Sequence, residues 1–173
     1  MGDARMDSDE LGRLIDRHAA ALELYARQWC ATPEDVVQEA FLKLAGQGGL
    51  PDNPAAWLFR VVRNGAINAS TAARRRRRHE SGAAEVRTWF LADSNASHPD
   101  ALDPESATAE LQALPLEQRE VIVGHLWGGL TFEQIAKIAG ISSSTAHRQY
   151  CAGLSTLRER LGVSCQKTRT IPS

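Results

Sequence analysis

Trp57, Arg60, Asn64 and Asn68 recur at spacings of three to four residues, and the five consecutive arginines Arg74, Arg75, Arg76, Arg77 and Arg78 follow with His79. On a helix such spacings place the first four side chains on one face. Aromatic rings stack on unpaired bases, carboxamides hydrogen-bond to base edges and arginines track phosphates, so the set suits single-stranded or opened DNA. A base held outside its stack needs such a pocket. A core tryptophan with capping asparagines, and a solvated basic helix end, are the alternative readings from residue type alone.

A second set lies downstream, where Ser144, His147, Arg148 and Cys151 share the outward side of a segment whose apolar positions are Ala146, Tyr150, Leu154, Leu157 and Leu161. The segment before it, FEQIAKIA, begins after Thr131, whose hydroxyl can cap a helix, and buries Ile135, Ala136 and Ala139. Gly140 supplies the turn, Ile141 is expected to plug the gap between the two helices, and Ser142 or Ser143 caps the second. This is a helix-turn-helix pattern. Its second helix enters the major groove by its N-terminal part, so the outward side chains would meet base edges and phosphates, with Arg148 the candidate for bidentate contact to guanine. The alternative is an ordinary packed helix pair with a solvated polar face.

Three helices make up the domain that positions the first set. From Asp9 to Trp29 the residues Leu11, Leu14, Ile15, Leu22, Tyr25 and Trp29 form an apolar stripe. Thr32 as cap, Pro33 at the first helical position and Asp35 start a second helix to about Ala45. It buries Val36, Val37, Ala40, Phe41 and Leu44 and leaves Glu34, Asp35, Gln38 and Glu39 outward, an acidic and amide face for a basic partner or for solvent. After the loop GQGGLPDN a third helix is expected from Pro54 to about Ala73, with the arginine run directly beyond it.

The chain has 173 residues, 43% of them hydrophobic, and a net charge of −1. That length holds one medium domain or two small ones. Residues 1–80 carry 12 Lys plus Arg against 11 acids, residues 81–109 carry 1 against 5, and residues 110–173 carry 7 against 5. The acidic middle, rich in Ser, Ala, Asp and Pro, reads as a linker, with Val86, Trp89, Phe90 and Leu91 as a docking segment, a short helix or a patch packed on a neighbouring domain. The expected organisation is all-α: a first helical domain over 1–80, a linker over 81–103, a helix-turn-helix domain over 104–162 and a flexible tail over 163–173.

No apolar run approaches a membrane-spanning length and the N-terminus carries no secretory pattern, so a cytoplasmic protein without membrane insertion is expected. Cys30, Cys151 and Cys165 share no zinc-type spacing. His147 and Cys151 stand four apart, half of a metal site without a second pair, so no metal and no cofactor is expected. No paired acids or activated nucleophile stands at catalytic spacing, and GQGGLP lacks the lysine and strand of a phosphate loop. No catalytic residues, and no enzyme activity, are expected.

The segments DVVQEAFLKL (35–44) and NPAAWLFRVVRNGAINASTAARRRRR (53–78) resemble region two of bacterial sigma factors, specifically the small extracytoplasmic-function group, and LPLEQREVIVGHLWGGLTFEQIAKIAGIS (114–142) resembles their region four. Together they cover most of the chain in the family's order. The resemblance implies a transcription initiation factor that binds the clamp helices and flap of core RNA polymerase and promoter DNA, and it allows for an anti-sigma partner. It would put Asp35, Gln38 and Glu39 at the polymerase contact. The loop Gly48 to Asn53 with Trp57, Asn64 and Asn68 would lie near a flipped minus-ten base, and Arg74 to Arg78 would hold the promoter backbone. It places Ser143, Ser144, His147, Arg148, Gln149 and Cys151 about the minus-thirty-five bases, and Thr131 and Thr145 at phosphates. Phosphoryl transfer and magnesium would belong to the polymerase.

The chain departs from the family where arginine is usual at Gln149 and Ala152, a small polar residue at Arg148 and aspartate at Asn68. Minus-thirty-five contact is therefore expected to be weaker or differently specific. Gly153 either weakens the recognition helix or allows close helix packing. Besides the sigma factor, a helix-turn-helix regulator binding duplex DNA without polymerase and a nucleic-acid enzyme are the competing classes. The regulator leaves the acidic helix and the Trp57 to Arg78 series without a role.

Overall fold

The computed structural model describes residues 7–79 and 104–161. The linker cluster Val86, Trp89, Phe90 and Leu91 and the tail from 163 lie outside them. Every described element is an α-helix: α1 (Ser8–Ala26), α2 (Pro33–Ala45), α3 (Pro54–His79), α4 (Pro104–Ala113), α5 (Leu116–Leu126), α6 (Phe132–Ala139) and α7 (Ser143–Arg160). No described helix is long and apolar enough to cross a membrane.

α1, α2 and α3 pack mutually around Leu22, Tyr25, Val37, Ala40, Phe41, Leu44, Leu58, Phe59, Val62 and Ala66. Each large side chain so buried contributes on the order of 1.5–3 kcal/mol. Gly65 lets α3 approach α2 closely, since a Cβ there would stand 2.9 Å from Val36 Cγ1. The stripe of α1 is narrower than its periodicity suggests. Ile15 is 37% exposed, because Leu14 takes the inward position, and the helix ends at Ala26, with Trp29 in the turn that follows.

The five buried positions expected on α2 are all buried, and Pro33 opens the helix. Thr32 occupies the capping position, but its side chain makes no capping hydrogen bond. α3 runs past Ala73 to His79, so the arginine run lies on the helix rather than beyond it. Alanine and arginine are strong helix formers, and no Gly or Pro occurs between Ala66 and Gly82 to stop the chain.

α5 is the centre of the second group. Val121, Ile122 and Val123 are all but fully buried, packed against Leu114, Leu130, Ile135 and Ala146. α7 lies along α5 at Gly153, where a Cβ would come within 2.6 Å of Ile122 Cδ1; the glycine thus permits close packing. α4 is tied on by Arg119, whose Nη1 donates to Gln112 O at 2.7 Å, and by Arg160, 3.1 Å from Glu110. Ile141 does not fill the gap between α6 and α7. It is 37% exposed, and Ile135, Ala146 and half-buried Ile138 occupy the space instead. Ala139 is likewise only half-buried.

The two groups touch. Gly128, after α5, lies so close to Phe59 of α3 that a Cβ would meet its ring at 2.6 Å. Beside it the Glu120 carboxylate of α5 accepts from Tyr25 Oη at 2.7 Å and from Arg63 Nε at 2.7 Å.

Candidate nucleic-acid interface

The capping box that sequence suggests at Thr131 is complete: its Oγ1 accepts from Gln134 N at 3.2 Å while its own N–H donates to Gln134 Oε1 at 2.8 Å. Gly140 ends α6 at φ 73°, a left-handed conformation that glycine adopts without a Cβ penalty. Ser142, not Ser143, caps α7, accepting from Thr145 N at 3.1 Å and donating to Thr145 Oγ1 at 2.8 Å. Thr131 and Thr145 are therefore both engaged in holding helix starts.

Ser143, Ser144, His147, Arg148 and Cys151 are exposed along α7, while Thr145 and Gln149 are half-buried. His147 is not a loose side chain. Its ring meets Phe132 edge-on at 5.2 Å, and Cys151 Sγ lies 3.7 Å from its Nε2. Phe132 in turn stacks on His125 at 4.5 Å, and His125 Nδ1 faces Leu130 O at 2.7 Å, which requires the proton on that nitrogen. This aromatic support for the outward side of α7 is not legible in the sequence, because His125 and Phe132 belong to different elements. Arg148 projects without such a scaffold.

On α3, Arg60, Asn64 and Asn68 are exposed and Trp57 is half-buried against the core, so part of the tryptophan packs inward and part stays accessible. Because the helix continues, the arginines do not form one patch. At about 3.6 residues per turn, Arg75 and Arg78 continue the Trp57–Asn68 face, Arg74 and Arg76 flank it, and Arg77 falls on the other side. The face extends about 32 Å from Trp57 to Arg78 at 1.5 Å per residue. In the preceding loop Gly48, Gly49, Asp52 and Asn53 are exposed, but Asn53 Oδ1 accepts from Ala56 N at 2.9 Å and caps α3.

Asp35, Gln38 and Glu39 share the exposed side of α2. Lys43 pairs with Glu39 at 2.8 Å and Arg27 with Glu34 at 3.4 Å, so Asp35 and Gln38 are the members of that face outside these pairs. Leu42, one turn beyond Gln38, is 66% exposed and gives the acidic face an apolar end. Its signal in the sequence is a leucine off the buried stripe. An exposed apolar pair, Leu126 and Trp127, stands at the end of α5. No group of three or more metal-ligating side chains occurs among the described residues.

With this geometry in view the comparisons are direct. The family model for sigma-70 region 2 matches residues 14–79, and the model for sigma-70 region 4 matches residues 105–157. The ECF RNA polymerase sigma factor SigL of Mycobacterium tuberculosis is 32% identical over 179 residues, covering 94% of this chain and 97% of that protein. A probable RNA polymerase sigma factor of Xanthomonas campestris pv. campestris, RfaY, is 28% identical over 87% of this chain, which spans 40% of that protein's length. Among solved structures, the sigma factor RpoE in complex with the anti-sigma factor NepR from Bartonella quintana aligns with a TM-score of 0.64 and 25% identity, covering 92% of this chain and 100% of that one. CnrH, in complex with the cytosolic domain of CnrY, shares the fold at a TM-score of 0.58 and 23% identity, with 94% of each chain covered.

The chain belongs to the sigma-70 family, within its extracytoplasmic-function group. Proteins of this family are transcription initiation factors and not enzymes.

Proposed function

We propose that the chain binds core RNA polymerase in the cytoplasm and directs promoter-specific initiation by a division of labour between its two helical units. α7 reads the minus-thirty-five element as duplex through Ser143, Ser144, His147, Arg148, Gln149 and Cys151, with Thr131 and Thr145 at phosphates. α3 captures a minus-ten base that has left the stack, through Trp57, Arg60, Asn64 and Asn68, with the arginines along the adjoining strand. The acidic side of α2, centred on Asp35, Gln38 and Glu39, docks on the polymerase clamp, and the second unit meets the flap. The residues between the units act as a tether that lets them bind separate elements. A sigma factor of this kind is also a natural target for an anti-sigma protein, as NepR is for RpoE.

One observation carries this reading. The exposed Trp57–Arg78 face and the acidic α2 face occur on one three-helix unit, in the same chain as a capped helix-turn-helix. A regulator working on duplex DNA alone has no use for either face of the first unit.

The test is transcription in vitro from a promoter library with core polymerase, comparing the intact chain with Asp35→Arg and Arg148→Ala. The expected results are promoter-specific transcripts with the intact chain, loss of them with Asp35→Arg through failed assembly, and an altered sequence preference with Arg148→Ala. Specific duplex binding by the chain alone, with no promoter-specific transcripts, would instead favour a regulator.

A further inference from the structure

Glu120 is 5% exposed and belongs to the second unit, yet both of its partners belong to the first. Arg63 reaches it with Nε at 2.7 Å and Nη2 at 3.5 Å, and Tyr25 donates its hydroxyl at 2.7 Å. The arrangement is braced from behind. Tyr25 sits edge-on between Trp29 at 5.0 Å and Phe59 at 4.9 Å, and the Arg63 guanidinium lies over the Trp29 ring at 5.7 Å. A buried carboxylate needs such partners, and among the described residues they come from across the seam.

The rest of the seam is less complete. Gln28 is buried with neither its side-chain nitrogen nor its oxygen hydrogen-bonded. Beside it a cavity of about 10 Å³, enough for one water, opens among Leu24, Gln28, Leu111 and Val123. The seam thus joins one buried polar network to apolar contact, where Gly128 lies against Phe59.

We propose that the Tyr25–Arg63–Glu120 network is a latch that holds the free chain closed and must release before the two units engage separate promoter elements. This rests on the reading of the chain as a promoter-binding factor. Arg60, Asn64 and Asn68 remain exposed in the closed form, so the latch acts by fixing the distance between α3 and α7 and not by covering the α3 face. The 24 residues from 80 to 103 have an extended reach of about 80 Å. They permit a separation that the latch forbids.

The experiment measures energy transfer in the full-length chain between dyes on Asp52→Cys and Glu159→Cys, both exposed sites, in a Cys151→Ser, Cys165→Ser background. The parent is expected to give one high-transfer population. Glu120→Lys, which faces Arg63 with a like charge, should move the chain to low transfer, lowering the closed-to-open ratio by about a hundredfold or more. Arg63→Glu should do the same from the other unit, and it carries the test if Glu120→Lys loses helical content by circular dichroism. Low transfer in the parent, or high transfer retained in a fully helical variant, overturns the proposal. The measurement uses neither polymerase nor DNA, so failure of the transcription assay would leave its result standing.

Discussion

Gly153 of α7 rests against Ile122 of α5 with no room for a side chain between them, a Cβ there falling 2.6 Å from Ile122 Cδ1 and 3.2 Å from Gln118 Cβ. Replacing it with leucine forces the two helices apart at the centre of the second unit. Gly153→Leu is expected to destabilise that unit by about 1–3 kcal/mol. For a unit of this size that is a fall in melting temperature of roughly 5–20 °C. Thermal unfolding followed by circular dichroism checks it; an unchanged midpoint would mean the helices do not meet there.

Thr131 caps α6, and the same hydroxyl is proposed to meet a phosphate. Thr131→Ala removes the hydroxyl that accepts from Gln134 N and should cost about 1 kcal/mol of stability. Thr131→Ser keeps the cap and should restore most of it. If the hydroxyl also meets a phosphate, promoter affinity follows the same order in both variants after correction for the folded fraction. Melting curves and holoenzyme binding, measured on the same samples, provide the comparison.

The arginines of α3 should prove unequal. Arg75→Ala and Arg78→Ala remove charges on the Trp57–Asn68 face and should each weaken promoter binding regardless of sequence, lowering the salt-dependence slope by about one. Arg77→Ala, on the far side of the helix, should change that slope much less. Arg148→Ala should leave the slope nearly intact and relax preference at one base pair by about 1–3 kcal/mol. Equal effects of Arg75→Ala and Arg77→Ala would show that the run acts as an unstructured basic tail.

Tyr25 links stability to alkaline pH. Burial first, and then the neighbouring Glu120 carboxylate, hold its phenol well above the ordinary value of 10.0. Between the unfolded and folded values the native chain keeps a proton that the unfolded chain has released, so stability is full below about pH 10 and falls as pH rises above it. Tyr25→Phe should be less stable at neutral pH, having lost the bond to Glu120, yet show a flatter decline through this range. Unfolding midpoints from pH 8 to pH 11 decide it; parallel declines would place the phenol in solvent.

Local signals were the ones the sequence expressed clearly. Thr131, Gly140 and Ser142 act within four residues of themselves, so the helix-turn-helix and its caps could be read directly. The buried stripe of α2 is set by periodicity within one helix, and all five of its members hold. Ile15 and Ile141 failed because hydrophobicity alone does not say whether a neighbour covers a position. The arginine run, expected directly beyond α3, lies on it instead, because its helix propensity and the lack of a breaker carry the helix through it.

Glu120 was invisible for a different reason. Its partners lie 57 and 95 residues away, and a glutamate is ordinarily solvated. The residues proposed to meet polymerase and promoter are legible in the sequence mainly as exposed faces. Which of their members are already occupied, such as Asn53 in a cap and Glu39 with Lys43, required the folded chain.

The depth at which Glu120 lies also sets how the molecule answers to salt. Exposed charges are screened over about 8 Å at physiological ionic strength, whereas a buried pair is hardly affected. Phosphate contacts by exposed arginines weaken steeply as counterions are added. Rising salt would therefore strip the protein from DNA while sparing the Glu120 network, and the released molecule could close again in salt that keeps it off DNA.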